Sequence, residues 1–302
     1  MKRRNFITTT GTALALAGAS KGLAQEASET AETTAPFKAL FAPNASHFGG
    51  GETIDSYLDA MKKAYENGFR AWEDNWLTRR PVSDQEKIGS FLRDNQMTMG
   101  VSVVTTGSGA RWFDPTNEQV DQIIKDCHTA VELSKRVGHK WFTLIPGSRD
   151  KSNPLPAQMK GCVDLLNRCS DIFEKANLIY VLEPLSHPSS GKPVLLRTFK
   201  DGFDLCKLVN RPSCKLLADY YHQQQTGGDL IKNTNDCWEE IAYIQYGDVP
   251  GRKQPGTGEI NYANVTKHIR DKGYRGVFGL EHGISGTAAD LVKSYREIDA
   301  AL

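Results

Sequence analysis

What the chain lacks narrows its class before any motif is read. It has no apolar run near the roughly 20 residues a membrane-spanning helix needs; the longest early run, 12–19, is too short. Its six cysteines (Cys127, Cys162, Cys169, Cys206, Cys214, Cys237) show neither a CxxC pair nor a Cys/His ligand spacing, which argues against a zinc ribbon and leaves them as mostly buried thiols. There is no basic surplus, with 37 Lys and Arg against 36 Asp and Glu, so nothing draws nucleic acid electrostatically. No Gly-rich dinucleotide fingerprint follows the first predicted strand. The first 25 residues contain no acid at all.

That acid-free start is informative. Lys2-Arg3-Arg4-Asn5-Phe6-Ile7 places paired arginines ahead of the apolar run, and Gly22-Leu23-Ala24-Gln25 offers small residues for cleavage. Residues 1–25 therefore read as a twin-arginine signal peptide; the alternative is a basic helix that stays attached. No cysteine in this segment offers a lipid attachment point, so the expected product is a soluble periplasmic protein. It would be exported by the twin-arginine machinery and free of the membrane after cleavage. Without these residues 33 basic remain against 36 acidic ones. Residues 26–36, rich in Ala, Ser, Thr and Glu without apolar periodicity, read as a flexible linker.

From residue 37 short β-rich runs alternate with amphipathic stretches. Strands are predicted at 39–43, 69–72, 97–104, 141–145, 178–182, 215–218, 241–244 and 277–280. Helices are predicted at 54–67, 84–94, 117–137, 156–176, 199–209, 229–237, 262–272 and 288–301. Eight βα units in this length favour a single-domain α/β fold over 37–302, a (β/α)8 TIM barrel, rather than an open doubly wound sheet. In such a barrel the chemistry sits where the strands end.

The last four strands each run apolar and stop at one oxygen-bearing side chain: Glu183 after Leu182, Asp219 after Ala218, Gln245 after Ile244 and Glu281 after Leu280. Any one of these would more often cap the following helix. Four in matching positions are different, because burying three carboxylates and an amide at one barrel mouth is costly without a compensating cation. Oxygen-only ligands favour a hard divalent ion, Mg²⁺ or Mn²⁺. His222 lies just past one of the four. Glu73 and Glu259 are assigned structural roles first, and His47, Phe48, Trp72 and Trp76 either wall the pocket or simply pack.

Leu182-Glu183-Pro184-Leu185, Asp219-Tyr220-Tyr221-His222-Gln223-Gln224 and the segment from Gly247 through Arg252 to Tyr262 together resemble the hydroxypyruvate isomerase family. The likeness covers essentially 37–302, including Gly68 to Asn75, and extends more distantly to xylose isomerase-like barrels and ketose epimerases. It implies that Glu183, Asp219, Gln245 and Glu281 bind the metal and that Glu183 and Glu281 also carry protons. His222 and Arg252 would contact substrate oxygens, Arg252 gripping a carboxylate. The implied reaction is an aldose–ketose type isomerisation through an enediolate, on hydroxypyruvate, another small keto acid or a sugar. The loop Leu185-Ser186-His187-Pro188-Ser189-Ser190-Gly191 departs from the pattern, as does the export signal. Rival readings are an exported keto-sugar epimerase, lyase or hydratase on the same site, and a noncatalytic periplasmic sugar-binding protein. A barrel nuclease would need more His ligands and a basic groove. A homo-oligomer is compatible with the sequence.

Overall fold

The structure is a computed structural model and describes residues 35–302, apart from residues 106, 108, 109 and 188–190. The signal, the linker up to residue 34, and Pro188, Ser189 and Ser190 of the departing loop lie outside the described residues. Among the described residues no helix is long and apolar enough to cross a membrane.

The predicted strands form one closed parallel barrel. Seven of them, β1 (Leu40–Ala42), β4 (Val103–Thr105), β5 (Trp141–Leu144), β6 (Ile179–Leu182), β7 (Cys214–Asp219), β8 (Ile241–Tyr246) and β9 (Val277–Leu280), pair in the order β1-β9-β8-β7-β6-β5-β4. The remaining arc is β2 (Ala71–Trp72) paired with β3 (Thr98–Met99). Backbone hydrogen bonds close the ring where regular ladders stop: Phe37 N–H to Gly68 O (3.1 Å) and Glu73 N–H to Pro43 O (2.9 Å) on one side, Val103 N–H to Asn75 O (3.0 Å) on the other.

The predicted third strand is broken into β3 and β4, and the cause is a side chain. Tyr243 of β8 reaches across the barrel, and its hydroxyl accepts the Val101 N–H at 3.3 Å. A Cβ at Gly100 would overlap that hydroxyl, which explains the glycine there. Inside the barrel Tyr243 packs with Ala42, Ala71, Val101, Val181, Leu217 and Val277, while the larger cluster lies between strands and helices. All six cysteines are free and buried.

The helices surround the barrel as α1 (Ile54–Glu66), α2 (Val82–Asp94), α3 (Asn117–Val137), α4 (Leu155–Lys175), α5 (Phe199–Val209), α6 (Tyr220–Thr226), α7 (Leu230–Cys237), α8 (Tyr262–Asp271) and α9 (Ala288–Ala300). α3 illustrates the logic. Thr116 and Gln119 form a capping box, Gly138 ends the helix in the left-handed region, and Ile123, Cys127, Ala130, Leu133 and Val137 bury one stripe. Each large side chain in that stripe contributes roughly 1.5–3 kcal/mol. α6 has no counterpart in the sequence reading, because it begins on the residue after β7, with Asp219 as its N-cap.

Candidate active site

The four strand-end residues converge at the C-terminal mouth. Asp219 and Gln245 are direct register partners, and Gln245 in turn pairs with Gly279, two residues before Glu281. Glu183, Asp219 and Gln245 are buried, whereas the Glu281 side chain keeps 28% exposure. Asp219 serves two masters: Oδ1 accepts the Tyr221 N–H that starts α6 (2.8 Å), and Oδ2 faces the site. One oxygen thus caps the helix, and the other is turned to Arg252 at the mouth.

Arg252 reaches in from the β8–α8 loop with φ of 49°. Its Nη2 donates to Asp219 Oδ2 (3.0 Å) and lies 3.1 Å from Glu281 Oε2, while Nε donates to the Glu281 carbonyl (3.0 Å). The guanidinium stands 4.8 Å from the centre of the Tyr221 ring. Among the described residues, one oxygen each of Glu183 and Asp219 and a ring nitrogen of His222 lie within 4.8 Å of one another. Gln245 adjoins this cluster through the register, and Arg252 bridges it to Glu281.

His222 was expected near substrate oxygens, and its tautomer bears on that role. Nδ1 is 3.1 Å from the Ser186 N–H, which can only donate, and 2.8 Å from the Ser186 hydroxyl. The hydrogen-bond network thus places the lone pair on Nδ1 and the proton of the neutral ring on Nε2. That Nε2 faces Asp219 Oδ2 at 3.5 Å and Glu183 Oε1 at 3.9 Å, without a hydrogen-bond partner. Burial, then Arg252 and His187, push its pKa down to about 2, so the ring is neutral. It offers the site an N–H, suited to an oxygen, rather than a lone pair for a cation.

A sequence model described as xylose isomerase-like TIM barrel matches residues 61–298, most of the chain and every residue just named. The chain belongs to the xylose isomerase-like TIM-barrel family. It is similar to the 2-oxo-tetronate isomerase of Cupriavidus necator, 35% identical over 78% of this chain and 91% of that protein. It is also similar to the hydroxypyruvate isomerase of Escherichia coli, 24% identical over 75% of this chain and 87% of that one. Among solved structures, the 3-keto-D-glucoside 4-epimerase of Escherichia coli superposes with a TM-score of 0.71 at 18% identity, covering 87% of this chain and all of the other, a likeness of fold.

This xylose isomerase-like barrel gathers far more negative than positive charge at its mouth. Burial, then repulsion from Glu281 and Asp219, raises Glu183 well above the usual carboxylate range. Burial raises Glu281 to about 7 against the pull of Arg252, and Asp219 also rises despite Arg252 and two backbone N–H groups. Glu73 joins them. Sequence reading gave it a structural role, yet it is buried beside the cluster, accepting from Tyr243 Oη (2.5 Å) and Gln245 Nε2 (2.9 Å). Burial, then Glu281, lifts it to about 8.

Four carboxyl groups thus face one guanidinium; Glu281 Oε2 is paired with Arg252 Nη2 at 3.1 Å, whereas Gln245 Oε1 is buried without a hydrogen-bond donor. A bare buried amide oxygen beside mutually repelling carboxyls is the arrangement a divalent cation relieves, so the residues present fit one. Of the other residues singled out from sequence, Phe48 and Trp72 are buried packing residues and Glu259 is exposed, bonded to Gln224. His47 is also buried: Nδ1 accepts from Asn44 N–H and Nε2 donates to the His282 carbonyl, fixing the loop after Glu281. Trp76 is open, 47% exposed. It lines a cavity of about 450 Å³ bounded also by Asn44, Tyr57, Asp74, Arg80, Arg252 and Glu281.

Proposed function

We propose that this protein is an aldose–ketose type isomerase of small hydroxy-keto acids, moving a proton between adjacent carbons through an enediolate. The observation that carries the reading is the pair of perturbed carboxyls, Glu183 and Glu281, held around Asp219, His222 and Arg252. The names of the relatives, hydroxypyruvate isomerase and 2-oxo-tetronate isomerase, support isomerase chemistry on such acids. One carboxylate of the pair takes the proton from the hydroxyl-bearing carbon, the same or the opposite one returns a proton to the former carbonyl carbon, and the hydroxyl proton passes to the former carbonyl oxygen. A pKa near 7 suits a group that must both accept and give. His222 Nε2–H donates to the substrate oxygen that gains negative charge, and Arg252 grips the carboxylate.

Glu183, Asp219, Gln245 and Glu281 would hold the divalent cation; the hard oxygen set favours Mg²⁺ or Mn²⁺. When bound, such an ion polarises the carbonyl and stabilises the charge that develops on oxygen. The domain at 37–302 would act in the periplasm, after the twin-arginine signal at 1–25 directs export and the linker at 26–36 tethers the barrel. The paired arginines support that location.

The test is deuterium exchange next to the carbonyl in a panel of three- to six-carbon keto acids and keto sugars, with Mg²⁺ or Mn²⁺ supplied. Exchange into at least one acid, reduced by roughly 10²–10⁴ in Glu281→Gln, is expected. No exchange with any compound would hand the case to a noncatalytic sugar-binding protein. One observation favours a second reading, a keto-sugar epimerase, lyase or hydratase on the same site: the cavity of about 450 Å³ leaves ample room beyond a three-carbon acid. Products from the panel decide, and Trp76→Ala should impair only the longer substrates.

A further inference from the structure

We propose that Glu73 is a positioning residue: it orients the side-chain amide of Gln245 so that the oxygen, rather than the NH₂, faces the Glu183–Asp219 cluster. The proposal rests on the cation site described above and assigns a role to a residue outside its ligand set.

A glutamine amide is nearly symmetrical in shape but opposite in polarity at its two ends. At a hard-cation site only the oxygen is a ligand, and the NH₂ would repel the ion. Nothing about Gln245 itself chooses between the two orientations, so its surroundings must. Glu73 supplies the choice, because its Oε1 sits 2.9 Å from Gln245 Nε2. With Glu73 ionised, the form a neighbouring cation favours, a turned amide would set oxygen against oxygen. Glu73 cannot easily move aside, since Tyr243 Oη donates to its other oxygen at 2.5 Å and is itself fixed by the Val101 N–H.

Two glycines make room for this arrangement. A Cβ at Gly279 would overlap Glu73 Oε2, and one at Gly100 would overlap the Tyr243 hydroxyl. Placing a carboxyl group inside a barrel is costly, and an apolar side chain there would be cheaper if only packing mattered. A purely structural network would also satisfy both ends of the amide. Here the nitrogen end is bonded while Oε1 is buried with no donor, an acceptor left for a ligand to complete.

The experiment measures Mn²⁺ affinity by calorimetry and by electron paramagnetic resonance, with no substrate present. Glu73→Gln keeps the shape but offers Gln245 both a donor and an acceptor, which removes the bias between the two amide orientations. Affinity should fall by about 10- to 100-fold, the usual scale for groups that orient a ligand, with the melting temperature of the metal-free protein close to wild type. Adding Gln245→Glu to Glu73→Gln should recover most of the loss, because a carboxylate presents an oxygen either way and the swap conserves charge. Should Glu73→Gln fail to fold, Tyr243→Phe loosens the same clamp and should cost about fivefold, one hydrogen bond's worth.

Wild-type affinity in both Glu73→Gln and Tyr243→Phe overturns the proposal. So does a loss in Glu73→Gln that the swap does not repair, which would make Glu73 merely structural. If the wild-type protein binds neither Mn²⁺ nor Mg²⁺, the cation site itself falls and the orienting role with it.

Discussion

Gly279→Ala is the most direct probe of how the site is supported from beneath. A methyl group there would overlap Glu73 Oε2 and stand 2.7 Å from its Cδ and 3.0 Å from Gln245 Cγ. Glu73 is pinned by two hydrogen bonds, and Gln245 is held in β8 by register partners on both sides, so neither can yield cheaply. Overpacking a filled interior costs about 1–3 kcal/mol. Displacing Glu73 adds about 0.5–1.5 kcal/mol for each hydrogen bond lost. Together these put the destabilisation at about 2–6 kcal/mol. Urea unfolding should register it as a lower midpoint at unchanged slope. Gly251→Ala is the control, since its added Cβ meets only Lys253 Cγ at an ordinary 3.6 Å. In a Glu73→Ala background most of the Gly279→Ala penalty should vanish, because the overlapping atoms are gone. An equal penalty with and without Glu73, or none at all, would refute the account of the barrel interior.

Three further outcomes are expected. His139 is buried with its pKa lowered to about 3, so the folded ring stays neutral while the unfolded one protonates below about 6.5. The unfolded state then binds the extra proton and wild-type stability falls with pH by about 1.4 kcal/mol per unit from this group. The stability gap between wild type and His139→Gln should accordingly narrow by about 2 kcal/mol from pH 7.5 to pH 5, read by urea titration. Arg252→Lys forfeits the two-point hold on Asp219 and the Glu281 carbonyl. It should lower kcat/KM for keto acids by about ten- to a hundredfold, measured by steady-state kinetics. Mn²⁺ at a hundred times its Kd should stabilise the chelator-treated protein by about 2.7 kcal/mol, read as a rise in Tm that excess chelator reverses.

The barrel was legible because its signal is repeated and local. Eight apolar runs, capping residues such as Thr116 and Thr198, and helix-ending positions such as Gly138 each declare themselves within a few residues. The four strand-end oxygens were legible for the same reason: each closes an apolar run. What escaped depends on partners far along the chain. Glu73 follows a strand of only two residues, and its partners Tyr243 and Gln245 lie some 170 positions away. Gly100 and Gly279, glycines inside the predicted strands at 97–104 and 277–280, were the available hint that a side chain crosses closely there. α6 escaped because its cap is also a strand end, so no break in the apolar pattern announces it.

His222 shows where sequence reasoning stops for a physical reason. Composition and spacing place an imidazole three residues after Asp219, and the fold brings both to one mouth. Whether that ring presents a lone pair or a proton to the site is decided by Ser186, whose N–H occupies Nδ1 and sends the proton to Nε2. Ser186 belongs to the loop that follows β6 and precedes α5. Glu183, Asp219 and His222 lie close enough to hold an ion, and under the proposed function they would divide the work, the two carboxylates as ligands and the imidazole as donor. Burial patterns depend on single residues, but the direction of a donor depends on pairs, and such pairs are visible only once the chain has closed on itself.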